Sequence, residues 1–302
     1  MRKLALALLL TVTTLLTAPL VGKVIYTPFC EGMDRWILIN LRVPRVLCGF
    51  AVGIALSVSG IVMQNVFRNP LAEPYILGIS TGAGLGALIG FAVGLFYLTP
   101  ILSFASSIVT VVVVYNLARV RGEITTESLL LSGIAVNFFL YALEWLILIK
   151  TNAHLILGWL VGYLGDVVWD DAKIALLSLI PVALIYPYSK HMNALLLGEE
   201  NAHYLGVDVK RVVKILIALS TLATSVTVSI AGIIGFVGLM IPHIGRAIVG
   251  EDNRILIPAS ALIGATFLIW ADTLARILNV PVGIITMLCG GPFFIHVMRS
   301  RF

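Results

Sequence analysis

Charge is what this sequence has least of. Asp, Glu, Lys and Arg make up 12% of its 302 residues and apolar residues 60%, whereas ordinary soluble domains carry about 25% charged residues. A chain so poor in charge cannot clothe a water-exposed surface, so a large soluble domain is excluded. Disorder is excluded by the same figures, because disordered chains are rich in net charge and poor in aliphatics. Cysteine is scarce too. Cys30, Cys48 and Cys289 show no CxxC spacing, which suggests neither a disulfide framework nor a zinc site. No G-x-x-x-x-G-K-[ST], H-E-x-x-H or G-x-S-x-G pattern occurs, so an enzyme reading has little to stand on. The net charge of +5 does not point to nucleic acid, since surplus Lys and Arg are the usual retention signal of cytoplasmic loops.

What remains is apolar sequence in lengths that suit a bilayer, where about 20 residues cross the hydrocarbon core. The runs are Leu4 to Val21, Val46 to Phe67, Gly78 to Leu98, Ile101 to Leu117, Leu129 to Ile149, Ile174 to Tyr186, Val213 to Ile230, a short one near Ile234 to Ile244, Ile255 to Ala275 and Val282 to Met298. They predict an all-α polytopic protein of about ten spans, one transmembrane unit over 1–302. Met1-Arg2-Lys3 and the first run also have the outline of a signal peptide. The run is long for one, lacks a clean A-x-A site and is followed by more spans, so a retained helix is the better reading. Basic residues set the orientation. Arg2, Lys3, Arg68, Arg119, Arg121, Lys190, Lys210, Arg211, Lys214, Arg246, Arg254, Arg299 and Arg301 fall on one side, and Lys23, Arg35, Arg42, Arg45, Lys150, Lys173 and Arg276 on the other. The richer side is expected to be cytoplasmic and to hold both termini.

Gly82, Gly86, Gly90 and Gly94 recur every four residues in the third span. That spacing predicts one small-residue face that admits a neighbouring helix closely. Gly82-x-Gly84-x-x-Ala87 also fits a loose dinucleotide fingerprint, but it has no preceding strand and an apolar helix surrounds it. Ser57-Val-Ser-Gly-Ile-Val-Met is faintly echoed by Ser229-Ile-Ala-Gly-Ile-Ile-Gly, in spans expected to run in opposite directions. That is what an inverted repeat requires.

Polar material gathers at helix ends. Arg68-Asn-Pro-Leu-Ala-Glu-Pro74 predicts a sharp polar break, read either as a turn in which Arg68 and Glu73 satisfy neighbouring backbone or as a substrate contact. The longest inside loop, about 189–211 with its end at Lys214, carries Leu197-Gly-Glu-Glu-Asn-Ala-His-Tyr-Leu-Gly206. Ala202, Leu205 and Leu195 to Leu197 give it an apolar stripe and Glu199, Glu200 and Asp208 its charge, the pattern of a short amphipathic helix on the cytoplasmic face. Arg42, Arg45 and Arg276 stand against the positive-inside bias and suggest an acidic partner outside. Glu144 is ionisable within an apolar helix, which by default is a functional position. Its candidate partners are Lys150 or a cationic or metal-chelating substrate, and a carboxylate facing water or headgroups is the alternative. His243 is isolated and reads as a helix-end packing residue.

The blocks Arg42-Val-Pro-Arg45, Ser59-Gly-Ile-Val-Met-Gln64, Arg68-Asn-Pro-Leu-Ala-Glu-Pro74, Gly78-Ile-Ser-Thr-Gly82, Leu129-Leu-Leu-Ser-Gly133, Leu197-Gly-Glu199, Gly235-Phe-Val-Gly-Leu-Met-Ile-Pro-His-Ile-Gly-Arg246, Leu256-Ile-Pro-Ala-Ser260, Ala271-Asp-Thr-Leu-Ala-Arg276, Pro281-Val-Gly-Ile-Ile-Thr286 and Gly290-Gly-Pro-Phe293 run nearly the whole chain. In that order they resemble the permease subunit of iron-siderophore, haem and cobalamin ABC importers, the type II importer permease fold. One departure is a shorter outer lip, Arg276-Ile-Leu-Asn-Val-Pro281, where family members commonly have a longer stretch.

The resemblance implies a multi-pass cell-membrane permease that pairs with a second copy of itself. It receives substrate from an external binding protein and is driven by two cytoplasmic ATPase subunits, which hold the ATP and Mg; this chain itself holds no cofactor or metal and carries out no catalysis. Arg42, Arg45 and Arg276 would meet carboxylates of the binding protein. Leu197, Gly198, Glu199, Glu200, Ala202, Leu205 and Gly206 would form the coupling element in an ATPase groove. Thr125, Thr126, Glu127 and Ser128 would form the inner gate of a pathway-lining fifth span that carries Glu144. An iron-siderophore is the first expectation for the substrate, with haem, cobalamin and molybdate or tungstate open. The rival class is a gradient-driven secondary transporter or channel, which needs midplane coupling groups that these spans nearly lack.

Overall fold

The computed structural model describes residues 2–27, 29–120, 123–151 and 156–301, and Arg121 lies outside them. The chain is a helical bundle in which, among the described residues, six helices are long and apolar enough to cross a membrane and three more are shorter and apolar; with the N-terminal helix they fall on the expected runs. In order they are α1 (Arg2–Thr17); α2 (Gly32–Ile37), which runs through a π-turn into α3 (Val43–Val66); α4 (Ile79–Ala92); α5 (Thr99–Leu117); and α6 (Thr126–Thr151). After the one-turn α7 (Leu157–Leu160) come α8 (Trp169–Leu177), α9 (Leu179–Ile185) and α10 (Ser189–Leu196), which together form the sixth segment. Then follow the short α11 (Glu199–Tyr204), α12 (Val209–Ala231), α13 (Val237–Val249), α14 (Asn253–Leu278) and α15 (Val282–Arg301). Among the described residues the only extended pairing is a two-residue ladder, β1 (Arg119–Val120) with β2 (Glu123–Ile124), closing the α5–α6 hairpin.

α3 is the hub. Nearly all of its residues are buried, as expected of a helix that is apolar or small all round. Where α14 and α13 cross it, the backbones nearly touch: a Cβ on Gly53 would strike Gly264 O, and one on Gly60 would strike Gly238 O. Gly82, Gly86 and Gly90 all face α5, against Thr110, the Leu102 carbonyl and Thr99 respectively, so the predicted stripe packs as expected. Gly94 does not belong to it. α4 ends at Ala92, and Gly94 sits in open space at φ 77°, where a left-handed residue turns the chain toward α5. The loose dinucleotide fingerprint lies inside α4.

The second span begins earlier than hydropathy predicts. Pro44 has no N–H to give to the carbonyl four residues back, and the helix absorbs the defect as a π-turn over Leu38–Arg42. Arg42 and Arg45 therefore lie on one continuous helix from Gly32 to Val66, not in a loop. The long inside loop is also largely helical, because α10 and α11 fill it. The two halves of the sequence echo sit differently: Ser57 to Met63 is the middle of α3, whereas Ser229 to Gly235 runs off the end of α12 into non-helical chain. α1 is part of the bundle. Thr11 Oγ1 donates to the Leu262 carbonyl at 3.1 Å, and Trp270 Nε1 donates to Thr14 Oγ1 at 3.0 Å.

Candidate functional site

Three polar centres lie along the bundle, one at the N-terminal end of α3, expected to be the outer one, one at its waist and one at its C-terminal end, expected to be the inner one. At the outer end, Arg45 makes a bidentate pair with Asp272 of α14, Nε and Nη2 each donating at 2.8 Å. Both groups are nearly buried, with side chains 13% and 3% exposed. The fork geometry suits guanidinium and carboxylate, and the pair ties α3 to α14. Arg42 is buried and donates to the carbonyls of Pro19, Leu20 and Val24 at 3.1, 3.3 and 2.9 Å, with its guanidinium 4.1 Å over the Tyr26 ring. Arg276 donates to the carbonyls of Ala18 and Val21 at 2.9 and 2.6 Å. The three arginines thus gather at one end of the bundle, and their hydrogen bonds go to this chain's own α1–α2 connection and to Asp272. A charge reversal at Arg45 would set two carboxylates against each other in a buried place, so it cannot leave the fold intact.

At the waist the chain unwinds between α12 and α13. Backbone polar groups at such depth must be met by protein, and they are. Tyr75 Oη donates to the Ile234 carbonyl at 3.0 Å and accepts from Ile234 N at 3.3 Å, while Tyr163 N donates to the Ala231 carbonyl at 2.9 Å. Gly162, Gly232 and Gly283 let these three stretches close on one another. Nearby, Thr81 donates to Asn137 at 2.7 Å, and Asn137 donates to the Tyr75 and Ile76 carbonyls at 3.3 Å each, joining α4 to α6. Two turns along α6, Glu144 is buried at 6% exposure, with Oε1 against Gly84 and without a hydrogen-bond partner. It thus faces α4 and is shut off from water, and no ion pair with Lys150 is seen among the described residues.

At the inner end, the Arg68 to Pro74 break is held by Asn69, whose side chain accepts from Leu71 N at 2.9 Å. Arg68 reaches the other way, to Glu199 at 3.5 Å, as an exposed pair. The reading in which Arg68 and Glu73 satisfy the local backbone is corrected accordingly: the residue that does so is the one whose short side chain can form an Asx turn. Glu73 is half-buried, and burial pushes its carboxyl up to about 7. The α10–α11 element turns at Gly198, φ 103°. Ala202 packs inward, completely buried, while Leu197, Tyr204 and Leu205 are 60%, 85% and 64% exposed. The expected stripe is therefore split: Leu195 and Ala202 dock into the bundle, whereas Leu197 and Leu205 point away, beside Glu200. Gly206 closes the element at φ 81°. Thr125 and Ser128 cap α6 reciprocally, each backbone N–H donating to the other's hydroxyl at 3.0 and 3.1 Å, with Thr126 and exposed Glu127 in its first turn.

Sequence reasoning missed the amide network behind this element. Asn253 Nδ2 donates to Asn193 at 2.8 Å and to Asn65 at 3.1 Å, and Asn193 donates to Asp252 at 2.8 Å. It links α3, α10 and α14 where the α10–α11 element joins the bundle. Gln64, the residue before Asn65 on α3, accepts from Arg246 at 2.5 Å and donates to the Gly238 carbonyl at 3.2 Å. Three isolated asparagines far apart in sequence carry no local signal; only Gln64 and Arg246 fell within quoted blocks. Among the described residues, no group of His, Cys, Asp and Glu could hold a metal ion.

A family model described as the FecCD transport family matches residues 4–300. The chain belongs to the FecCD transport family. It is 41% identical over 269 residues to the cobalamin import system permease protein BtuC of Halobacterium salinarum, covering 87% of this chain and 73% of that one. It is 38% identical over 283 residues to the hemin transport system permease protein HmuU of Yersinia pestis, covering 88% and 84%. The structure matches a metal-chelate type ABC transporter solved in an inward-facing conformation, with a TM-score of 0.91, 28% identity and 99% of each chain covered. This FecCD chain is thus a multi-pass membrane protein with the fold of an ABC importer permease, and its relatives are transport permeases.

Proposed function

We propose that this FecCD chain is the membrane pathway of an ATP-driven importer for a metal held in an organic chelate, delivered by an external binding protein. What supports the reading is the likeness over the whole chain to a metal-chelate transporter, together with relatives named for cobalamin, hemin and Fe(3+)-citrate. A ferric chelate remains the first substrate to try, with haem and cobalamin beside it. The chain would work as a pair. The aromatic face of α6 (Phe138, Phe139, Tyr141 and Trp145) is uncovered and would meet the second copy or the substrate path. Two ATPase subunits, carrying ATP and Mg, would sit against Leu197, Tyr204 and Leu205 on the cytoplasmic side, where both termini also lie. Their closure would move α11, and the asparagine network would pass that motion to α3 and α14, favouring one state of the pathway. Docking of the binding protein would fall to the outer arginine centre, whose Arg45 then exchanges Asp272 for an outside carboxylate.

The test is reconstitution of the chain in vesicles with its ATPase and binding-protein partners, with uptake followed for a ferric siderophore, haem and cobalamin. Uptake of one of them that requires ATP and both partners is expected. Uptake that an ionophore abolishes, and that proceeds without the ATPase, would overturn the reading.

A further inference from the structure

Two cavities meet on the α5–α12 face at its inner end. The first, about 210 Å³, lies between Arg119 after α5, Thr126 at the start of α6, Glu199 of α11 and Lys210 and Lys214 of α12. Its one described carboxylate, Glu199, is already answered by Arg68 at 3.5 Å, which leaves Arg119 and Lys214 to give the lining its positive character. Among the described residues, neither Arg119 nor Lys214 has an ion-pair partner. The second cavity, about 460 Å³, shares Tyr115, Arg119 and Lys214 with the first and continues along the helices between Val112, Ile217, Ala218 and Leu222. From Lys214 to Leu222 is eight residues of α12, about 12 Å of rise. A polar, positive chamber therefore opens into an apolar groove running toward the bilayer middle, with a tyrosine at the junction, where interfacial aromatics settle.

We propose that this paired cavity binds an anionic phospholipid of the cytoplasmic leaflet, its phosphate between Arg119 and Lys214 and one acyl chain along the α5–α12 groove. The shape separates this ligand from its rivals. A soluble phosphate has no use for the groove, and a zwitterionic lipid brings its own cation to a lining whose one described carboxylate, Glu199, already has Arg68. Basic pockets between spans on the cytoplasmic side suit such headgroups. The placement gives the lipid a task as well. The headgroup would bridge β1 and the first turn of α6 to α11 and α12, so the segment that would contact the ATPase and the segment at the inner end of α6 share one ligand. The proposal uses the reading above only for the side of the membrane.

The experiment keeps transport out of the readout. The full chain, purified in mild detergent, is placed in nanodiscs of phosphatidylcholine doped with phosphatidylglycerol, and lipid retained through re-extraction is counted by native mass spectrometry. Retention of phosphatidylglycerol in preference to phosphatidylcholine is expected. Arg119→Gln with Lys214→Gln should weaken that retention about thirty-fold, the factor to which two basic contacts of about 1 kcal/mol each convert. Ala218→Trp, an exposed position, should lower it by obstructing the groove while leaving both charges in place, and it decides the matter if the double variant does not fold. Arg211→Gln, outside both cavities, should leave it unchanged. Undiminished phosphatidylglycerol in Ala218→Trp, equal retention of the two lipids, or displacement by glycerol phosphate as effective as by phosphatidylglycerol would each overturn the proposal. So would crosslinking of two copies through Ala218→Cys.

Discussion

The Arg45–Asp272 pair shows how one contact constrains what a residue can do. Removing one partner of a buried, hydrogen-bonded ion pair strands the other, at about 3–5 kcal/mol. Asp272→Asn and Arg45→Gln should each lower the midpoint of thermal unfolding in detergent by that equivalent, and the double variant by less than their sum. Additive losses would mean that the two do not act as a unit. Glu73 supplies a pH signature. Its carboxyl is raised to about 7 by burial, so the folded state holds a proton that the unfolded state releases near 4.3. Stability from this group is complete below the lower value and declines as pH rises toward 7. Glu73→Gln should flatten the stability profile across that window, and an unchanged profile would remove Glu73 as its source. Asp252, at the N-cap of α14, acts oppositely. Hydrogen bonds from Arg254 and Asn193 hold its carboxyl well below the usual range, so its contribution is kept at neutral pH and lost only in strong acid.

At the scale of elements, helices here are held by close approach and by amides, because lipid offers little drive for apolar faces to associate. Gly60 meets Gly238 backbone, which cannot swing aside as a side-chain tip can. Gly60→Ala should therefore cost about 1–3 kcal/mol or more through overpacking. Gly84→Ala meets only side-chain ends, those of Glu144 and Leu160, and should cost less, and equal midpoints for the two variants would contradict the distinction. The asparagine network joins α10 to α3 and α14. Asn253→Ala leaves two amides under-satisfied, a loss of about 1–3 kcal/mol, and should reduce substrate moved per ATP hydrolysed more than it reduces hydrolysis itself. Proportional loss of both would assign the network to stability alone. Element boundaries were the least legible part of the sequence. The π-turn before Pro44 and the α12–α13 break are set by which backbone groups find partners in three dimensions, and hydropathy averages over both.

For the whole molecule, the exposed set at α11 is the surface that the proposed ATPase partner would cover. Leu197, Tyr204 and Leu205 project from an element whose other side, Ala202, is anchored in the core. An apolar cluster of that kind can carry much of an interface's affinity. Leu205→Asp should leave the chain's own unfolding midpoint unchanged and weaken co-purification with the ATPase about tenfold or more. Intact co-purification would place that interface elsewhere.

The sequence alone determined the membrane setting, the all-helical class and the family, because composition, run length and ordered blocks are properties of the chain taken in one dimension. The glycine stripe on α4 was legible for the same reason, since four-residue spacing fixes a helix face wherever the helix goes. Tertiary structure decided what the polar residues do. Arg45 finds Asp272, Arg42 and Arg276 turn to the α1–α2 carbonyls, Arg68 leaves its own turn for Glu199, and Asn65, Asn193 and Asn253 converge. Each of these is a pairing between positions distant along the chain. A charged or amide side chain within a bundle takes whichever partner the fold brings within hydrogen-bond reach, and spacing along one strand of sequence cannot name that partner.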